Sequence, residues 1–129
     1  MGKTRVFTSF DFDHDEDLRT LLIGQANNPD TPFDLADWSV KEPMTGDWKK
    51  EVRTRIKSVD QMMVICGEHT DKAAGVSAEL EIAQEEEIPY FLLYGRSGKT
   101  CKKPKAAKSS DKMFKWTWEN LMKLIAGQR

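Results

Sequence analysis

The sequence predicts a single α/β domain, a three-layer sandwich on a five-stranded parallel sheet in the order 2-1-3-4-5. Three observations carry this. Short apolar or β-branched runs alternate with helical patterns along the chain, as in parallel sheets. The clearest stretch, Asp60 to Gly95, reads as an apolar run, a Gly-containing turn, an acidic helix and a second apolar run, which is a βαβ unit. The length of 129 residues suits one domain, residues 1–129, with a core of its own, and no internal repeat is visible.

The elements follow in order. Thr4 to Ser9 (TRVFTS) is β-branched and aromatic, a first strand. FDFDHDED leads into a helix whose inner face is expected to carry Leu18, Leu21, Leu22 and Gln25, with Asp13 or Asp15 as its cap. Asp13, Asp15 and Asp17 read as a solvated helix start, and Asp11, nearer the strand end, as able to face a ligand. NNPDTP is a turn cluster, Phe33 to Trp38 a second strand, and Ser39 to Asp47 an exposed loop. The next helix, Trp48 to Lys57, has Trp48, Val52 and Ile56 at i, i+4 and i+8, which puts Trp48 against the sheet. Gln61 to Cys66 is the third strand, Ala73 to Glu87 the third helix, and Pro89 to Tyr94 the fourth strand. GRSGKTCKKPKAAKSSDK is a basic connection without helical period, a degraded crossover. Met113 to Trp116 is a short fifth strand. Thr117 then caps a final helix with Trp118, Leu121, Met122 and Ile125 expected inside. Five strands alternating with helices in this way make a flavodoxin-like topology.

Composition excludes several classes. Twenty basic residues against 21 acidic ones give a net charge of −1, which argues against a whole-molecule polyanion binder, so nucleic acid is not an expected partner. No run approaches the roughly 18 apolar residues of a membrane span, and the first residues lack a signal-peptide core. The expected location is the cytoplasm, with no membrane partner. Cys66 in a strand and Cys101 in a basic loop do not suggest a disulfide framework.

Familiar motifs fail on spacing. GRSGKT has two residues between its first glycine and Gly-Lys where a triphosphate loop needs four, and it follows a strand without opening a helix. The Asp11, Asp13, Asp15 run would put Glu16 at the glycine position of a calcium loop and Leu22 at its glutamate. A receiver domain needs an Asp ending the third strand, which here ends Ile65-Cys66-Gly67. Glu79 is the sharper residue. Lying near the helix start, it can point back to the carboxyl ends of the strands, where open α/β sheets bind ligands.

The segments VFTSFDFDHDEDLRTLL, DWSVKEP, IKSVDQMMVICGEHT and IPYFLLYG, with the helix holding Glu79, cover most of the chain. Together they resemble the TIR-like domain family that includes the TIR-like subunit of Thoeris anti-phage defence. That family ends its first strand in an aromatic-rich x-Ser-x-Asp-x-Asp and opens the loop after its second with Asp-x-Ser. Its third strand ends in Gly-x-x-Thr, with a glutamate nine residues after the threonine. Gly67, Thr70 and Glu79 match that spacing. The family's Ser-x-Trp before the glutamate is replaced here by Ala73 and Gly75.

The resemblance implies cleavage of the nicotinamide–ribose bond of NAD⁺, in some members with cyclisation of the ADP-ribose into a signal that activates a partner effector. It implies Glu79 as the catalytic carboxylate, with Ser9, Phe10 and Asp11 lining the pocket. Trp38 and Ser39, opening the loop Trp38 to Pro43, would cover it. His69 and Thr70 would form its floor, with Gly67 also among the substrate-binding residues. NAD⁺ is then a substrate, no cofactor or metal is required, and self-association of TIR domains is an expected partnership. Two rivals stand beside this reading. One is a non-catalytic assembly module acting through Ser39 to Gly46 and its helix faces, indifferent to Glu79→Gln. The other is a hydrolase or transferase that prefers nucleosides.

Overall fold

A computed structural model describes residues 4–27, 31, 33–38 and 47–127, with the description confined to the backbone at 12, 13 and 36–38. The elements are β1 (Thr4–Ser9), α1 (Phe12–Ala26), β2 (Phe33–Trp38), α2 (Trp48–Lys57), β3 (Gln61–Cys66), α3 (Ala74–Glu85), β4 (Tyr90–Tyr94), β5 (Met113–Lys115) and α4 (Trp118–Ile125). A single 3-10 turn, Thr70–Lys72, precedes α3. The five strands form one sheet in the order β2-β1-β3-β4-β5, and every neighbouring pair is parallel. The expected fold class and strand order are both found. The link from β4 to β5 contains no helix, as its lack of period implied.

Burial in β3 explains why its apolar run is unbroken. Met62 to Cys66 are all fully buried, because this central strand is covered on both faces. Alternation sends Met62, Val64 and Cys66 into the cluster beneath α2 and α3. Met63 and Ile65 go to the opposite cluster, which holds Leu18 and Leu22 of α1 with Leu121, Leu124 and Ile125 of α4. Trp48, Val52 and Ile56 are buried in the first cluster, as their spacing predicts.

Four expectations need correction. Asp13 and Asp15 do not cap α1: the carbonyl of Asp11 receives the first helical bonds, from the amides of His14 (3.3 Å) and Asp15 (2.8 Å), Asp13 lies inside the helix, and Asp15 sits at a kink in it with non-helical backbone (φ −121°, ψ 19°). Asp15 is not solvated but 1% exposed. Leu21 does not face the core and is 61% exposed. In α4, capped by Thr117 as expected, the inner face is Leu121, Leu124 and Ile125, while Trp118 is 38% exposed. The latter two are errors of phase: an apolar residue at the border of a helical stripe fits the period whether or not the sheet reaches it.

Candidate functional site

Parallel strands direct their carboxyl ends to one rim, and strand order reverses between β1 and β3. Ser9 ends β1 there, and its hydroxyl donates to Oε1 of Glu79 at 2.8 Å. Glu79 lies in the second turn of α3 and is 3% exposed, while the flanking Val76, Ala78 and Leu80 are buried in the core. The register of this helix therefore places a carboxylate, rather than an apolar side chain, on the sheet-facing side at the end of β1.

The turn after β3 is closed by Thr70, whose buried hydroxyl accepts from the amide of Gly67 at 2.7 Å. This is the local reason for the Gly-x-x-Thr spacing. Gly67 has a second role. A Cβ there would run into the carboxylate of Asp15, so glycine is what admits that side chain where it stands. Burial raises the carboxyl of Asp15 above its usual range, against the opposing pull of Arg96. The guanidinium of Arg96 bonds Oδ1 of Asp15 (3.1 Å), both carboxylate oxygens of Asp17 (2.7 and 3.0 Å) and the carbonyl of His14 (3.0 Å). The loop after β4 thereby clasps the first turns of α1. Arg96 lowers the carboxyl of Asp17 and is itself held more firmly protonated, chiefly by Asp17.

Beside that clasp, Nδ1 of His14 lies 2.7 Å from Oδ2 of Asp11, and the His14 ring stacks on His69 with centroids 4.2 Å apart. Asp11 is buried, whereas the His14 side chain is 51% exposed. A carboxylate acceptor at Nδ1 fixes the orientation of the imidazole ring.

The structure thus brings Ser9 to Glu79, Asp11 and His69 to His14, and Gly67 to Thr70. The Phe10 side chain is buried in the cluster beneath α1 and α4. Trp38 pairs by its backbone with Thr8, while its side chain and Ser39, with the rest of the loop to Gly46, lie outside the described residues. Sequence reasoning missed His14, Asp15 and Arg96. The i, i+3 spacing of Asp11 and His14 at a helix start was a readable signal for the first, but nothing local marked Arg96 as the partner of Asp15.

Residues 7–99 match the family model described as Thoeris protein ThsB, TIR-like domain. The chain belongs to this family. Its segments named above lie largely within that match. A comparison with curated proteins finds no match. Among solved structures, the TIR-like chain is similar to a crystal structure of a prokaryotic SEFIR domain, with a TM-score of 0.57 and 20% identity over 97% of this chain and 95% of that one. That likeness shows the α/β fold. Among the described residues, no helix of this TIR-like domain is long and apolar enough to cross a membrane.

Proposed function

We propose that this TIR-like domain cleaves the nicotinamide–ribose bond of NAD⁺ with Glu79 as catalytic carboxylate, releasing ADP-ribose in linear or cyclised form as a signal in anti-phage defence. The observation that carries the reading is Glu79 itself, a buried carboxylate held by Ser9 at the strand-order reversal. Burial of a carboxylate is costly unless it is used or compensated. In the reaction the bond from ribose C1′ to the nicotinamide nitrogen breaks, and its electron pair leaves with the neutral base. Positive charge builds on the ribose, and a fixed carboxylate stabilises it, as in glycoside hydrolysis. Water, or a nucleophile of the ADP-ribose itself, then bonds to C1′ and gives up a proton.

His14, whose ring Asp11 orients, is the group we assign to take that proton.

The test is incubation of the purified chain with NAD⁺ beside Glu79→Gln, with nicotinamide release and nucleotide products resolved by mass spectrometry. Release by the wild type alone supports the reading, and product mass separates hydrolysis from cyclisation. No release by the wild type at high protein concentration overturns it in favour of the assembly module.

A further inference from the structure

A cavity of about 760 Å³ lies between α1 and the segments that follow β4 and β5. Its walls include Leu21 and Gln25, Tyr94 and Lys99, and Lys115 and Trp116; it shares Arg96 with the clasp on α1 but includes none of Ser9, Glu79, Gly67 or Thr70. Its size falls within the roughly 300–1,000 Å³ of small-molecule pockets.

Its surface chemistry is specific. The large hydrophobic side chains exposed among the described residues are Leu21, Tyr94 and Trp118. Leu21 (61% exposed) and Tyr94 (40%) both stand in this wall, and Trp118 follows two residues after Trp116. Scattered exposed apolar side chains need no explanation, but the meeting of Leu21 and Tyr94 in one cavity does. The indole of Trp116 donates to Oε1 of Gln25 at 2.9 Å, which ties the segment before α4 to α1 and holds the ring in place.

The charge is equally one-sided. No Asp or Glu is among the lining residues described. Arg96 is engaged by Asp15 and Asp17, whereas Lys99 and Lys115 are exposed and form no ion pair among the described residues. Gly95 to Lys99 belong to the GRSGKT segment whose spacing is wrong for a triphosphate loop. Gly98 has φ 74°, a left-handed turn that glycine makes without strain and that precedes Lys99.

We propose that this cavity is a second ligand site, for a nucleoside monophosphate. The heteroaromatic ring lies against Tyr94 and Trp116, and the phosphate is met by Lys99 and Lys115. A cavity with aromatic walls and two uncompensated cations selects a ligand that is both planar and anionic. The site stands whether or not Glu79 cleaves NAD⁺.

The test is calorimetric titration of the full chain with AMP, adenosine and inorganic phosphate. AMP is expected to bind saturably, with adenosine and phosphate each at least about tenfold weaker. The double variant Lys99→Ala/Lys115→Ala, at exposed positions that leave the core intact, should weaken AMP by about tenfold or more and leave adenosine unchanged. Leu21→Asp, which puts an acid on the wall, should weaken AMP as well, and Glu79→Gln should not. Absence of saturable AMP binding overturns the proposal. So does AMP binding that survives both lysine substitutions and is lost in Glu79→Gln, which would assign the nucleotide to the Glu79 site.

Discussion

The hydroxyl of Ser9 and the carboxylate of Glu79 meet at 2.8 Å although 70 residues separate them in the chain. The end of β1 and the second turn of α3 are therefore one unit. Removing the hydroxyl with Ser9→Ala takes a hydrogen bond from a buried acid and is expected to cost about 1.5–3 kcal/mol of stability, read by urea unfolding. Glu79→Gln keeps the shape and an acceptor for Ser9. Its unfolding midpoint should stay near that of the wild type while nicotinamide release falls about 10²–10⁴-fold. Equal loss of stability in both variants would instead make Glu79 a structural acid.

The Asp11–His14 pair yields a second prediction. His14→Ala should lower turnover about 100-fold or more with little effect on stability, because the ring is half exposed. Added imidazole should restore part of the rate. Asp11→Asn should reproduce much of the defect by presenting the wrong tautomer, and imidazole should not rescue it. A His14→Ala enzyme with wild-type turnover would remove His14 from the mechanism.

Gly67 and Asp15 are in steric register. Gly67→Ala forces a Cβ against a carboxylate pinned by Arg96 and is expected to destabilise by about 1–3 kcal/mol. Shortening Asp15 to alanine in the same chain should relieve part of that cost, so a double-mutant cycle should show coupling between the two positions. Strict additivity would mean that the backbone around Gly67 moves away instead.

Asp15 also predicts a pH dependence of defined sign. Its folded carboxyl is raised above the ordinary 3.8, first by burial. The folded state therefore holds the proton more tightly than the unfolded chain does. The stability this contributes is fullest below pH 3.8 and is lost as pH climbs through the raised folded value. Asp15→Asn cannot titrate, so beyond a constant offset from its altered Arg96 contact it should gain on the wild type as pH rises toward neutrality. Denaturant unfolding across that range measures the trend. Asp17, lowered chiefly by its hydrogen bond to Arg96, should act oppositely and weakly because it is largely exposed.

The two helix tryptophans should behave differently. Trp48→Ala opens the cluster beneath α2 and α3 and should cost about 3–5 kcal/mol. Trp118→Ser at the outer edge of α4 should change stability by about 0.5 kcal/mol or less. Thermal unfolding of both variants distinguishes a buried from a peripheral ring.

Much of the fold was legible because burial on both faces writes unbroken apolar runs, as in Met62 to Cys66, and helices between such runs force parallel pairing. The Gly67, Thr70, Glu79 spacing was legible too, since a turn closed by a threonine hydroxyl and a helix register are local geometries. Leu21 and Trp118 were misjudged because a helical period gives the direction of an apolar stripe but not where the sheet beneath it ends.

By itself, then, the sequence determined the strands, the helices, their order and the placement of a glutamate near the strand ends. Only the tertiary structure decided that Ser9 holds that glutamate, that Asp15 is buried against Gly67, and that Arg96 fastens α1 to the loop after β4. Those choices depend on contacts between segments tens of residues apart. Local propensity and periodicity carry no information about which partner a charged side chain will meet once the chain is packed.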